Sequence, residues 1–315
     1  MSKPKIVIAS GDPNGIGPEI AIKILNAKGL AAQYDIKVII PSSVIEHYCH
    51  SLNLPVPDKK KIIDIPDLKI RVKEGRIDKK AGQVAAESIR IGVELCLRRN
   101  FDALVTLPIS KKSFNLAGFD FPGHTEYLKA LTGCERTIMI MYSKQLVITP
   151  VTIHIPLRKV TSELEKSVLK SNLLLLHKTL LNNFKVKSPK IAVLAINPHA
   201  GDGGLHGSEE KTKLEPVIKE LRSEGIDVKG PFPADGFFGN VTYKDFDAVA
   251  GAYHDQALIP FKILSEGHGV NYTAGLPIIR TSPTHGTAFD IAGKNMAKIE
   301  STIEAIKLAA KLISK

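Results

Sequence analysis

At 315 residues the chain is long enough for a large core and for two domains. Its hydrophobic and charged fractions, 43% and 24%, are those of an ordinary soluble globular protein. The net charge of +11 comes from scattered Lys and Arg, with no Trp and little aromatic clustering. That argues against a base-stacking nucleic-acid surface and fits a bias toward anionic substrates.

Val- and Ile-rich runs alternate with helical patterns along the chain. Lys5 to Ser10 predicts the first strand, and GDPNGIGPEI turns into a helix through Leu25, with Pro18 suited to its first position. Ile36 to Ile40 predicts a second strand, Gln83 to Arg98 an amphipathic helix, and Asp102 to Leu107 a buried strand. After Gly133 the texture changes. Thr137 to Tyr142 and Gln145 to His154 predict a hairpin or an antiparallel edge. Thr161 to Leu181 predicts one long helix, with Ser162 and Glu165 in capping-box register. Strands follow at Ile191 to Ile196 and Phe246 to Ala252, with a helix at Ser208 to Glu224 between them. Val270 to Tyr272 and Pro277 to Ile279 are short extended pieces, and Ala297 to Ile313 is the closing helix. The alternation predicts an α/β fold with a largely parallel sheet.

Cys49, Cys96 and Cys134 are few, odd in number and outside any metal or disulfide motif, which fits a reducing cytoplasm. The first apolar run is too short for a signal peptide, and no later one is long enough to span a bilayer. A cytoplasmic protein with no membrane partner is expected.

Chemistry is expected just beyond strand ends, where an α/β sheet opens to ligands. GAYHDQALIPFK places His254 and Asp255 there, with Lys262 further on. His254 and Asp255 suit metal binding or proton transfer, and Lys262 suits an anion. His154 in VTIHIPL and His199 in INPHAGDGG stand in comparable places, so the three His are read as meeting at one metal. His206 is an alternative ligand, less favoured because it lies further from its strand. A single His after a strand is more often a hydrogen-bonded residue than a ligand.

Gly11, Gly15 and Gly17 let the first loop approach a ligand at a helix N-terminus, although a tight turn alone accounts for them too. PGHTEYL sets His124 and Thr125 beside Glu126, a group suited to hydrogen-bonding a polyol or amino acid, or to capping a helix at Thr125. In RTSPTHGTAFDIAGK, the small-residue loop His285, Gly286, Thr287 and Ala288 ends at Asp290. Small residues admit a flat cofactor, and a carboxylate accepting from both ribose hydroxyls favours NAD over NADP.

HGTAFDIAGK and GIGPE resemble loops of the isocitrate and isopropylmalate dehydrogenases. Together with GDPNGIGPE, GHTE, TIHIPLR, NPHAGDGG, YHDQ and GVNYTAGLPIIRTSPTHGTA, they resemble the 4-hydroxythreonine-4-phosphate dehydrogenase family over essentially the whole chain. TLPIS at Thr106 to Ser110 departs from the more Gly-containing loop expected there, and TIHIP from TTHLP.

The resemblance implies two α/β/α domains around an active-site cleft. These are expected at residues 1–135 with 281–315 on the cofactor side, and at 136–280 with the metal ligands and dimer contacts. It implies a homodimer with a divalent metal (Zn, Mg, Mn or Co) at a site shared between subunits, held by His154, His199 and His254. Substrate contacts are implied at His124, Thr125, Lys262, Asn271 and Arg280. The implied reaction is NAD(P)-dependent oxidation of 4-phosphohydroxy-L-threonine at C3, followed by decarboxylation to 3-amino-2-oxopropyl phosphate, in vitamin B6 synthesis. Lys262 is then a candidate proton donor or acceptor, Asp255 an orienting group for His254 or water, and Lys111 a phosphate contact. A D-threonate or D-erythronate 4-phosphate dehydrogenase is the alternative within the class. A non-redox phosphate-ligand protein, such as a metal-dependent phosphatase, is the alternative outside it.

Overall fold

Runs of Val, Ile and Ala become strands because β-branched side chains pack well on a pleated, buried surface. The computed structural model describes residues 3–121 and 123–313, which form two compact units: Met1–Thr137 with Leu276–Lys315, and Ile138–Gly275.

The first unit opens with β1 (Lys5–Ala9), α1 (Gly17–Asn26), α2 (Lys28–Gln33), β2 (Asp35–Ile39), α3 (Ser42–Ser51) and β3 (Ile62–Ile63). It continues with α4 (Lys79–Leu97), β4 (Ala103–Thr106), α5 (Lys111–Leu116) and α6 (His124–Thr132). The chain returns to it with β11 (Ile279–Pro283) and α12 (Glu300–Ile313). Its strand order is β3-β2-β1-β4-β11, all parallel. Ile6, Val7, Ile8 and Ala9 of β1 are fully buried, as expected of a strand covered on both faces. Val7, Ile39 and Leu104 pack against Ala85, Ile89 and Val93 of α4.

The second unit comprises β5 (Ile138–Tyr142), β6 (Val147–Thr152), α7 (Val160–Glu163), α8 (Lys166–Asn182), β7 (Lys190–Leu194) and α9 (Glu215–Ser223). It ends with β8 (Asp227–Phe232), α10 (Ala234–Gly239), β9 (Ala248–Tyr253), α11 (His254–Ser265) and β10 (Val270–Ala274). Its strand order is β10-β5-β6-β9-β7-β8. β5 is antiparallel to both β10 and β6, and the remaining pairs are parallel. The expected hairpin is therefore β5–β6. Ile148, Leu194, Val249 and Phe261 form the heart of this unit's core.

Four sequence expectations need correction. The helix expected over Thr161 to Leu181 is two helices, α7 and α8, because Leu164 is fully buried and Glu165 takes an extended backbone ahead of α8. No capping box forms, since the Ser162 hydroxyl donates to the Lys159 carbonyl instead. The Ser208 to Glu224 helix begins as a π-turn over Glu210–Leu214 and becomes α-helical only at Glu215. Thr125 does not cap α6. Gly123 holds that position, and Thr125 sits in the first turn.

Candidate functional site

In the second unit, β6, β9 and β7 are parallel neighbours. His154, His254 and His199 lie just beyond their respective C-terminal ends. The His154 and His254 rings have centroids 5.9 Å apart. They line a cavity of about 310 Å³ with Thr152, Ile155, Leu157, Val160, Tyr253 and Asp255. Asp255 Oδ1 lies 2.7 Å from His254 Nδ1. With Nδ1–H donating to the carboxylate, the ring is held in one orientation and Nε2 is its acceptor nitrogen.

His199 does not join this pair. Its ring lies 6.2 Å from that of His206, the alternative ligand. Among the described residues no group of three His, Cys, Asp or Glu side chains gathers to hold a metal within one chain. His254 is also more than a strand-end residue: it begins α11. Gln256 fixes that start, its side chain accepting from Ala252 N and donating to Ala195 O, each at 2.6 Å. Gln256 thus ties the first turn of α11 to the ends of β9 and β7. Lys262 is exposed on α11. On β10, the Asn271 side-chain oxygen is buried without a hydrogen-bond partner.

In the first unit, the loops after β1, β4 and β11 leave neighbouring strands. Gly11 has φ +72°, and a Cβ there would lie 2.2 Å from the Pro108 carbonyl oxygen, so this close approach requires glycine. Asp12 is fully buried, and burial pushes its carboxyl up to about 6. Arg280 is 1% exposed. Its Nε and Nη2 both donate to Thr106 Oγ1, at 3.0 and 2.5 Å. Burial lowers the guanidinium's pKa to about 9. His124 Nε2 donates to the Leu107 carbonyl at 3.2 Å, and burial, reinforced by the positive Arg280 and Lys111, pushes its pKa down to about 3. His124 is therefore a neutral hydrogen-bonding group at physiological pH. Thr125 is half-buried beside it.

The loop His285 to Asp290 follows β11. His285 Nδ1 donates to Gly286 O at 3.1 Å, while its buried Nε2 has no hydrogen-bond partner. Burial keeps this imidazole below its usual pKa. Thr287 O accepts from Ile16 N at 3.0 Å, Ala288 has φ +43°, and Gly286 and Asp290 are exposed. A partnerless buried acceptor in a loop of small residues is a position for a ligand's hydrogen bond. Asp12 and Thr106 escaped the sequence reading, and Gln256 was legible there only as the neighbour of His254 and Asp255. Only the spacing of each from a strand end could have pointed to them.

The sequence profile described as pyridoxal phosphate biosynthetic protein PdxA matches residues 18–309. The chain belongs to the PdxA family. It is 37% identical to the 4-hydroxythreonine-4-phosphate dehydrogenase of Bacteroides thetaiotaomicron, over 98% of this chain and 88% of that one. It is 39% identical to a protein of Oceanobacillus iheyensis provisionally named D-threonate 4-phosphate dehydrogenase, over 98% of each. The crystal structure of the Klebsiella pneumoniae 4-hydroxythreonine-4-phosphate dehydrogenase superposes with a TM-score of 0.88 at 35% identity, covering 100% of this chain and 99% of that one. This PdxA-family chain is accordingly a dehydrogenase with a mixed α/β fold.

Proposed function

We propose that this PdxA-family enzyme oxidises 4-phosphohydroxy-L-threonine at C3 with NAD, and that the resulting β-keto acid loses carbon dioxide to give 3-amino-2-oxopropyl phosphate. The observation that carries this reading is the His154–His254 pair beside Asp255, in a chain related over nearly its full length to named 4-hydroxythreonine-4-phosphate dehydrogenases.

The donor set fits a divalent metal in part: two imidazoles and an orienting carboxylate line one cavity. We assign His154, His254 and His199 as its ligands, with the two subunits of a homodimer contributing to a shared site. When bound there, the ion supplies Lewis acidity to the substrate hydroxyl and to the charge that builds up during decarboxylation. Its identity follows from the ligand types only as far as Zn, Co, Mn or Mg. The exposed Leu157, Ile259 and Ile263 of this unit support the dimer, since Ile259 and Ile263 stand one turn apart on α11.

The remaining residues bind, orient and move protons. Asp255 holds His254 by its Nδ1–H. Lys262, as a cation on α11, meets an anionic group of the substrate and exchanges a proton with it. The Asn271 side-chain oxygen accepts a hydrogen bond from the substrate. His124 and Thr125 donate hydrogen bonds, and Arg280 binds the carboxylate or phosphate in bidentate geometry. The first unit is the cofactor side: the His285–Asp290 loop receives the adenosine half of NAD, with Asp290 accepting from the ribose hydroxyls. When bound there, NAD would supply the hydride acceptor for C3. NADP is the weaker cofactor in this assignment because Asp290 repels a 2′-phosphate. Among the described residues no helix is long and apolar enough to cross a membrane, and a cytoplasmic location fits three cysteines that stand outside any disulfide motif.

The test is NADH formation from phosphohydroxythreonine before and after chelation, with metal restored, and with His254→Ala. Metal-dependent turnover lost in His254→Ala is expected. The relative from Oceanobacillus iheyensis motivates a second arm with D-threonate 4-phosphate. Turnover on that substrate alone would move the enzyme to sugar-acid metabolism, and NADH from neither would refute the redox reading.

A further inference from the structure

The loop after β1 does more than turn the chain, and Asn14 is its fastener. Asn14 is fully buried. Its side-chain oxygen accepts from Lys73 N at 2.9 Å, and its side-chain nitrogen donates to Arg76 O at 2.9 Å. Its backbone carbonyl accepts from Gly75 N at 2.8 Å, and its backbone N–H donates to Asp12 Oδ1 at 2.9 Å. One residue thus holds the whole turn 73–76 against the first loop. From the other side the Tyr48 hydroxyl reaches Pro13 O at 3.0 Å and Gly15 O at 3.1 Å.

What this block presses on is the segment 287–297. Ile16 N donates to Thr287 O at 3.0 Å. Gly75 sits so close that a Cβ would come within 2.7 Å of Phe289 O, and Glu74 packs against Gly293. Further along, Glu19 Oε1 accepts from Ala297 N at 2.8 Å, and Lys23 Nζ donates to Ala297 O at 3.0 Å. Thr287 and Phe289 flank Ala288, whose φ of +43° is unfavourable for a residue with a Cβ. That backbone persists only while its surroundings hold it.

We propose that Asn14 is a positioning residue for the dinucleotide. By fixing turn 73–76 beneath Phe289 and Gly293, it presets the conformation of the His285–Asp290 loop. NAD then binds without first ordering that loop, which is how preorganisation raises affinity. The inference rests on the assignment of that loop to the dinucleotide. Its chemistry is specific to an amide, because one atom must accept from Lys73 N while its neighbour donates to Arg76 O. An aspartate at this position keeps the acceptor, but its ionised form sets a carboxylate against the Arg76 carbonyl. Protonation restores the donor.

The experiment is a fluorescence titration of NADH into the unaltered protein, Asn14→Ala, Asn14→Asp and Asp290→Ala, alongside steady-state kinetics and melting curves. Asn14→Ala is expected to raise the NADH Kd and the KM for NAD by about tenfold, with kcat at saturating NAD and the KM for the phosphorylated substrate within about twofold. Compared at each pH with the unaltered protein, which carries the same Asp12, Tyr48, Lys73, Glu74 and Arg76 around this position, the NADH Kd of Asn14→Asp should approach the unaltered value as pH falls from about 8 to about 6, where the new buried carboxyl takes up its proton. A purely structural residue would lower the melting temperature without that pH-dependent rescue. Unchanged NADH affinity in both Asn14 variants, with weakened affinity in Asp290→Ala, overturns the positioning role alone. Unchanged affinity in Asp290→Ala overturns the loop assignment itself. Failure of both Asn14 variants to fold also overturns the proposal, since Asn14 would then hold up the unit rather than the loop.

Discussion

Replacing Thr106 with Val isolates the polar contacts of a buried cation. The two side chains have nearly the same shape, so no cavity opens, and what is lost is the hydroxyl that accepts from Arg280 Nε and Nη2. Thr106 and Arg280 are each 1% exposed, so water does not replace it. Hydrogen bonds from a charged group contribute about 1.5–3 kcal/mol each, and a shared acceptor with partial relaxation gives roughly 2–4 kcal/mol for the pair. For a folding unit of this size, 1 kcal/mol moves the melting temperature by about 2–4 °C. Thr106→Val should therefore melt roughly 4–16 °C lower by circular dichroism, and Thr106→Ser, which keeps the oxygen, should recover most of that. The KM for the phosphorylated substrate should rise in Thr106→Val and return in Thr106→Ser, because the same guanidinium is assigned to the substrate anion. A Thr106→Val protein melting within about 1 °C of the unaltered one would refute the claim that this hydroxyl holds Arg280.

Three further outcomes follow from the same geometry. The Asp12 carboxyl, raised by burial to about 6, holds its proton more tightly folded than unfolded, so its contribution to stability is present below about pH 4 and lost as pH rises through 6. Asp12→Asn, whose side-chain oxygen still accepts from Asn14 N, should stabilise the protein by up to about 2–3 kcal/mol at neutral pH and hardly at all near pH 4, read by chemical denaturation at both. His124 titrates in the opposite sense. Its folded pKa of about 3 lies below the unfolded value, so stability falls as acid protonates the unfolded chain from about pH 6.5 downward, and His124→Gln should flatten that limb of a melting-temperature profile. Ala200, at φ 53° and ψ 39°, is left-handed, so Ala200→Gly should stabilise by about 0.5–1 kcal/mol in a urea titration, net of glycine's greater unfolded freedom.

Several parallel strands were legible as short apolar runs, as in KIVIA before Ser10–Gly11 and AVAGAY before His254, whereas β3 and β8, short or interrupted by Gly and Pro, were not. Helices were less legible where local pattern and tertiary demand disagree. The sequence from Thr161 onward keeps a helical texture through Leu164, yet burying that side chain breaks the helix there, and no local signal marks it. Helix α11 was missed because its first residues read as ligands and Pro260 lies inside it. The candidate site shows the same division. Strand-end residues such as His154 and His254 can be read from a single run of sequence. The partners of Arg280 cannot, because Thr106 lies 174 residues away and meets it only through the pairing of β4 with β11.

The backbone around the candidate ligands bears on the metal assignment independently of side-chain distances. His154 has φ 55° and His199 φ 54°. His199 opens a run of left-handed residues through Ala200, Gly201, Asp202 and Gly203. A residue with a Cβ in that region is unfavourable by about 1–2 kcal/mol, and such residues normally occur singly. The run survives because Glu210 anchors its base: Oε1 accepts from Ile196 N and Asn197 N at 2.9 and 2.8 Å, and Oε2 accepts from the Asn197 side chain at 2.9 Å. Glu210 is 1% exposed and begins the π-turn, an irregularity that recurs at functional sites. A buried carboxylate, a π-turn and a left-handed run thus all act to present His199 in one orientation. Packing alone gives no reason for this, because His199 is exposed. Strain held in place at an exposed imidazole argues for a ligand. That imidazole stands apart from the His154–His254 pair in the single chain, so in the proposed assignment it reaches the pair's metal from the second subunit.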